Sequence, residues 1–514
     1  MFMHKGYLLA LAAVACATVA AELAASQPLL LVAVDRAYVQ PLESFNVTVY
    51  AYGQAKGSTV EVRLLRGDET YYETSLPISD VERLTLRAPP REGLYSIEVS
   101  AKLSTSSVVA RVAEPLPVIN ESAWTTPLLL SFVWHCHQGI NLMPDGSFHG
   151  IWAFTYVYEN VFAPYYEGGP YTLLATMLER HPDVKFTVNL SPSLLWQWMY
   201  AIAFGYRDAS KYTYVPPNSS EANAVKTLLS RIKCLIEEGK LELLTSFFNH
   251  PIPGYIVEKF EWGGEVMQEE LSWGILVARR AFNVTPRGVW IPEMFFSMKL
   301  VKPLEKAGIA YTVLDARYHL SGASGEVGSP YETYILKDTE GNSLEVLFRD
   351  SELSDLLSFG INPSSEKEAE VLARRFVALI LARKLEHREA KFVVIAADGE
   401  NWLLGNKLKA VFFDRMLGYV ERSSRVLRSV TVSEILSMLP PRRELSHVPT
   451  TSWAGGDWVW TSRSENHQQW DMIAKAGECY VKVRQRCSDP AIVSAAAFSL
   501  FLTLNSDVIH REYT

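Results

Sequence analysis

From Trp124 onward, short apolar runs alternate with longer segments of helical period, and almost every run ends in a polar or charged residue. The runs are Leu128–His135, Val184–Leu190, Leu241–Phe247, Gly288–Pro292, Ala310–Asp315, Leu344–Asp350 and Phe392–Asp398. Between them lie segments with helical spacing, among them Tyr171–Arg180, Ala222–Glu238, Glu265–Ala281 and Lys367–His387. Such alternation means parallel strands joined by crossover helices. Seven strands of this kind point to a (β/α)7 barrel over 124–440 rather than an open sheet, with chemistry expected at the strand C-termini.

The polar residues at those ends are His135, His137, Asn189, Ser246, His250, Glu293, Asp315, Arg349, Asp350 and Asp398. A lone strand-end Asp is usually a helix cap. Repetition over consecutive strands is more than capping explains. Two of the carboxylates sit in the contexts Gly288-Val-Trp-Ile-Pro-Glu293 and Val393-Val-Ile-Ala-Ala-Asp398-Gly-Glu-Asn-Trp402. A charge directly after a buried strand is costly unless it has a purpose. Paired carboxylates are what glycoside cleavage needs, one as nucleophile and one as proton donor.

The flanking regions differ in texture. Residues 28–118 carry short alternating runs separated by Gly, Pro and Asp turns, which predicts an immunoglobulin-like β-sandwich of unread role. Pro115-Leu-Pro117 and Asn120-Glu-Ser122 read as a linker. Residues 441–514 read as a helical region packing over the barrel mouth, with Ala491–Leu504 as a buried helix. Residues 1–26 have a short polar start with Lys5, an apolar run and small residues, the pattern of an export signal. Membrane association through an uncleaved signal is the rival reading. Export places the protein outside the cell or at its surface. Cys479 and Cys487 could bridge locally or remain free thiols. The net charge of −8 argues against a nucleic-acid partner.

Five ordered segments give the chain a specific resemblance: His135-Cys-His137-Gln138, Leu244-Thr-Ser-Phe-Phe-Asn-His250-Pro-Ile252, Val289-Trp290-Ile-Pro-Glu293, Asp398-Gly-Glu-Asn401, and Trp453 through Glu465-Asn-His-Gln-Gln-Trp470. With them the chain resembles glycoside hydrolase family 57, of the amylase and amylopullulanase type, over about 126–475. The resemblance implies Glu293 as nucleophile and Asp398 as acid/base. It implies substrate contacts from His135, His137, His250, Trp290, Asp315, Arg349, Glu400, Trp402, Asp457, Trp460 and Glu465. Trp290 is expected to offer its ring face to a sugar. Asp398 is expected to hold its proton, and Glu293 to stay ionised beside a His or Arg.

The implied activity is retaining cleavage of α-1,4 bonds, with α-1,6 as an extension, in starch-like α-glucans. A glucanotransferase or branching enzyme would use the same intermediate. Two His spaced like His135 and His137 also suit zinc, so a metal-dependent deacetylase or mannosidase is a third reading. No cofactor is called for, and a structural calcium ion is not readable. Gly139 departs from the family's usual Pro. The stretch Asn505-Ser-Asp-Val-Ile-His-Arg-Glu-Tyr-Thr514 also lacks the family's Trp-rich close.

Overall fold

The computed structural model describes residues 29–103 and 108–510, in two compact units. The expected export signal at 1–26 lies outside the described residues. Among those residues, no helix is long and apolar enough to cross a membrane.

The first unit takes in the described chain up to Pro127 together with Phe359–Arg388 and Gly405–Val426. Its strands form two antiparallel sheets. One has the order Leu30–Val34, Ser44–Ala51, Val81–Arg87; the other runs Glu69–Ile78, Ser58–Arg66, Gly93–Lys102, Val108–Val118. Alternate side chains such as Val47, Val49, Val62, Ile97 and Val99 enter one shared core, as the two-residue period of a strand requires. Two strands were not legible in the sequence. Glu69–Ile78 is largely exposed, so it lacks an apolar alternation. Val108–Val118 contains Pro115 and Pro117, read above as linker. It is an edge strand, where a missing N–H is tolerated. Helices Glu366–Glu386 and Leu408–Arg422 belong to this unit. Buried Arg374 donates to Arg36 O and Pro115 O, and Arg375 pairs with buried Glu114 at 2.5 Å.

The second unit is built on the seven expected strands. In ring order they are Phe392–Asp398, Leu128–Cys136, Phe186–Leu190, Leu241–Leu244, Gly288–Val289, Tyr311–Asp315 and Ser343–Arg349. Neighbours pair in parallel; a single bridge, Thr245 to Val289, joins the fourth to the fifth. Asp350 N donates to Val394 O and brings the seventh strand back to the first. Inside lie Leu129, Val133, Tyr311, Val313, Leu347, Phe392, Val394 and Ala396 in one core, each buried aliphatic side chain contributing roughly 1.5–3 kcal/mol. The same period continues that inward face to His135, Asp315, Arg349 and Asp398. The strands thus deliver polar groups to one end of the ring.

The fourth and fifth strands are shorter than expected, ending at Leu244 and Val289, and the left-handed residues His250 and Glu293 follow them. After residue 440 the chain first adds a strand, Arg443–His447, beside Tyr334–Lys337 before turning helical. Helix Pro490–Thr503, expected to be buried, buries only Ala497, Leu500 and Phe501 among its inner positions, and Ile492 is exposed. Cys136, Cys234, Cys479 and Cys487 are all unbridged.

Candidate active site

Glu293 stands in a tight turn at the end of the fifth strand with φ 57°, and Met294 follows at φ 47°. His250, at the end of the fourth strand, also has φ 57°. Left-handed backbone at residues other than glycine costs on the order of 1–3 kcal/mol and persists only where the surroundings over-determine it. Here they do. Met294 N bonds Ile291 O, Phe295 N bonds Pro292 O, and Trp453 N bonds Glu293 O. The Trp453 indole N–H also donates to Glu293 Oε2 at 3.0 Å.

Asp398 extends the inward face of the seventh chain-order strand, in register with His135, which is itself in register with Asn189. Asn401 donates to Asp398 Oδ2 at 3.3 Å. Burial raises the Asp398 carboxyl above its ordinary range, as expected, with the Asp507 charge adding to it. Glu293 differs from expectation. Burial first, then the charges of Asp398 and Asp507, push it up to about 8. Among the described residues no Arg is paired with it: Arg349 is committed to Asp315 Oδ2 at 2.7 Å, to Ala396 O and to Asp355. Both carboxyls thus tend to hold a proton, Glu293 in part because it feels the Asp398 charge.

Behind Glu293 runs a chain of histidines whose protons can be assigned. Asn189 gives its N–H groups to Leu244 O and Thr245 O, so its Oδ1 faces His135 Nδ1 at 2.8 Å and accepts from it. Burial pulls His135 down to about 3 and His250 well below its ordinary value, so both rings are neutral. His135 Nε2 must then accept from His250 Nε2 at 2.9 Å, and His250 Nδ1 from the Ser506 hydroxyl at 2.7 Å. Ser506 Oγ also lies 3.3 Å from Glu293 Oε1. Its one proton can serve only one partner. With that proton directed to His250, Ser506 offers Glu293 a lone pair; directed to Glu293 Oε1, it lowers the carboxyl instead.

The other expected residues fall into three groups. His137 and Glu400 join the site: His137 Nδ1 lies 3.0 Å from Ser191 Oγ, and its backbone N–H donates to Glu400 Oε1 at 3.2 Å. Burial raises the Glu400 carboxyl strongly. Asp315, Arg349, Trp290 and Trp402 lie behind the carboxyls. Asp315 also caps Tyr318 N and accepts from Ser351; Arg349 lies over the Trp453 ring at 5.3 Å. Trp290, expected to face a sugar, is 1% exposed and has His135 stacked on its ring at 4.8 Å, so imidazole covers that face. Trp402 stacks on Trp134. Trp460 is buried against Phe295, and its carbonyl accepts from Trp470. Asp457 and Glu465 are exposed, and neither bonds a site residue.

Sequence reasoning missed Trp453, Ser191, Ser506 and Asp507. Asp507 Oδ2 lies 3.3 Å from His137 Nε2. Ser191 carried a signal, a Ser before Pro192 at a helix start, which marks an N-cap. Asn189, one of five Asn-x-Ser/Thr triplets, is fully buried and serves the histidine chain, so it is no glycosylation acceptor. Among the described residues, no three His, Cys, Asp or Glu side chains are arranged to hold a metal. A cavity of about 770 Å³ lined by Tyr331, Phe392, Met438 and Arg443 opens at the other end of the Phe392–Asp398 strand, away from these carboxyls.

Glu270 supports the site from helix Gly263–Phe282, its buried carboxylate accepting Asn249 N–H at 2.9 Å beside His250. Burial pushes it up to about 8. The folded state therefore holds a proton that the unfolded chain releases near 4.5, and this contribution to stability is lost as pH rises through 8. Glu270→Gln is expected to leave the melting temperature nearly unchanged at pH 5 and to stabilise by about 1–3 kcal/mol at pH 9. Melting curves at the two pH values check it; equal shifts at both would sink the assignment.

A family model described as glycosyl hydrolase family 57 matches residues 131–448. An α-amylase of Pyrococcus horikoshii is 27% identical over 232 residues, 45% of this chain and 29% of the relative. A 4-α-glucanotransferase of Thermococcus litoralis is 24% identical over 362 residues, 69% of this chain and 44% of the relative. The chain thus spans less than half the length of either. Among solved structures, the α-amylase AmyC of Thermotoga maritima aligns with a TM-score of 0.54 at 17% identity, over 76% of this chain and 89% of that one. A branching enzyme of Thermococcus kodakaraensis aligns with a TM-score of 0.54 at 17% identity, over 74% and 84%. At that identity the likeness speaks to the fold.

Proposed function

Because the chain belongs to glycosyl hydrolase family 57, we propose that it is a retaining glycoside hydrolase cleaving α-1,4 bonds in starch-like α-glucans, with α-1,6 bonds as an extension. The catalytic module is a (β/α)7 barrel, preceded by an immunoglobulin-like sandwich and followed by a helical region that covers the barrel mouth. In this reading Glu293 attacks the anomeric carbon while Asp398 gives its proton to the departing glycosidic oxygen. Water then displaces the sugar from Glu293 and returns a proton to Asp398. The observation that carries the reading is the pair itself: two carboxyls at the same end of the strand ring, Asp398 raised by burial as a proton donor requires, and Glu293 near enough to feel the Asp398 charge. Retention needs them about 5–5.5 Å apart, so that no water fits between. His137 presents the imidazole for sugar hydroxyls, and His135 and His250, whose ring nitrogens are taken up by Asn189, each other and Ser506, stack against it. The segment 1–26 directs export, which suits digestion of an external polymer.

A second reading is transfer to a glucan acceptor, the activity carried in the names of two of the similar proteins. Product analysis separates the two. Purified protein lacking residues 1–26, incubated with soluble starch and pullulan, is expected to release new reducing ends in proportion to the bonds broken. Constant reducing ends with altered chain lengths would replace hydrolysis by transfer. No change in either polymer would overturn both.

A further inference from the structure

The turn Ser506–Ile509, which follows the last long helix, is not a loose end. Its backbone is tied down on several sides. Ser506 N bonds His250 O, Asn466 Nδ2 bonds Ile509 O at 2.7 Å, and Gln469 Nε2 bonds Val508 O at 3.1 Å. Asn505 caps the turn through Asp507 N and packs so closely on Gly139 that a Cβ there would lie 2.4 Å from Asn505 Nδ2. The loop after His137 and the end of the chain are thus fitted to each other, and the small residue at 139 is what admits Asn505. The fit puts the Asp507 carboxylate beside His137 Nε2 at 3.3 Å.

Asp507 differs from the other carboxyls of the site in being open. Its side chain is 52% exposed, whereas Glu400 is buried. The backbone of the turn is held rigidly, yet the carboxylate faces the space in front of Glu293 and Asp398, whose protonation both feel its charge. A carboxylate and an imidazole N–H side by side are a donor and acceptor pair matched to neighbouring hydroxyls on one sugar ring. We propose that Asp507 is a specificity-determining residue of this site, binding with His137 the hydroxyls of the sugar unit that docks against Glu293. The inference rests on the α-glucan reading given under Proposed function.

Asp507 also has a consequence for pH that a purely structural residue lacks. Among the described residues, the charged or titratable groups that interact with it are His137, His135 and His510, together with Glu293, Asp398 and Glu400. Asp398 additionally feels Arg349. Removing the Asp507 charge lowers both Glu293 and Asp398, so both limbs of the profile move to lower pH. The test compares wild type with Asp507→Asn, which keeps shape and the Asn505 cap, and with Asp507→Glu. Hydrolysis or transfer of maltooligosaccharides is followed from pH 4 to 9, and maltotetraose binding is measured by calorimetry. The Asn variant is expected to lose about 10- to 100-fold in kcat/KM, mostly through KM. Both limbs are expected to move about half a unit or more toward acid. The Glu variant should recover part of the pH position. An Asn variant with wild-type KM and a superimposed profile overturns the proposal while leaving the glucan reading intact. A wild type that neither acts on nor binds the oligosaccharides overturns both.

Discussion

Glu293→Gln is expected to lower turnover of α-glucans by about 10⁴-fold or more, which corresponds to roughly 5–6 kcal/mol of lost transition-state stabilisation. Gln can still accept the Trp453 indole N–H, so binding should survive and the loss should fall on kcat. Asp398→Asn is expected to behave differently. Without its proton donor, the enzyme should still react with glucosyl fluoride, whose leaving group needs little acid help, and stall on starch. Azide should then rescue release of the sugar as a glycosyl azide of retained configuration. An Asp398→Asn enzyme equally impaired on both substrates would remove it from the acid/base role. Stability supplies an independent check. Because burial holds Glu293 at about 8, its folded-state proton stabilises below 4.5 and that contribution disappears as pH rises through 8. Glu293→Gln should therefore match wild type at pH 5 and melt higher at pH 9. A melting temperature unchanged at both would show the carboxyl to be better solvated than its surroundings indicate.

How far the sequence reached can be argued from particular residues. The ring strands were legible because burial on both faces makes each a continuous apolar run, and Asp398 and His135 sit at its end by the strand's two-residue period. Glu293 was legible for a different reason, the Trp290-Ile-Pro turn before it; its left-handed backbone was not, since one of the bonds that hold it comes from Trp453, far along the chain. The same distance in sequence hid Ser506 and Asp507. Their local pattern, an Asn cap before a short turn, says nothing of His250 lying more than 250 residues earlier. Trp290 shows the opposite error. An aromatic next to a catalytic candidate suggested a sugar platform, but the ring fills the strand ring's core beneath His135. In the first unit, Glu69–Ile78 was missed because an exposed strand carries no apolar alternation to read.

Arg349→Met is expected to destabilise the second unit by about 3–5 kcal/mol, the cost of leaving a buried carboxylate unpaired. Arg349 is buried and holds fully buried Asp315 at 2.7 Å, while its other nitrogens reach Ala396 O and Asp355. Met fills much of the volume but cannot neutralise Asp315. Adding Asp315→Asn should recover most of the loss, because the amide removes the stranded charge, its oxygen still accepts from Tyr318 N–H, and its Nδ2 can donate to the Ser351 hydroxyl. Activity should not recover with it. The guanidinium also lies over the Trp453 ring, and Trp453 is the fixed donor to Glu293. Without that support the indole loses its constraint, and Glu293 loses a partner that lowers its pKa. The double variant should therefore fold almost as well as wild type, with kcat still reduced about 10- to 100-fold and the acidic limb of its pH profile moved upward. Urea unfolding followed by tryptophan fluorescence, beside kcat across pH, separates the two effects. If the double variant regained stability and turnover together, Arg349 would be no more than the counter-ion of Asp315.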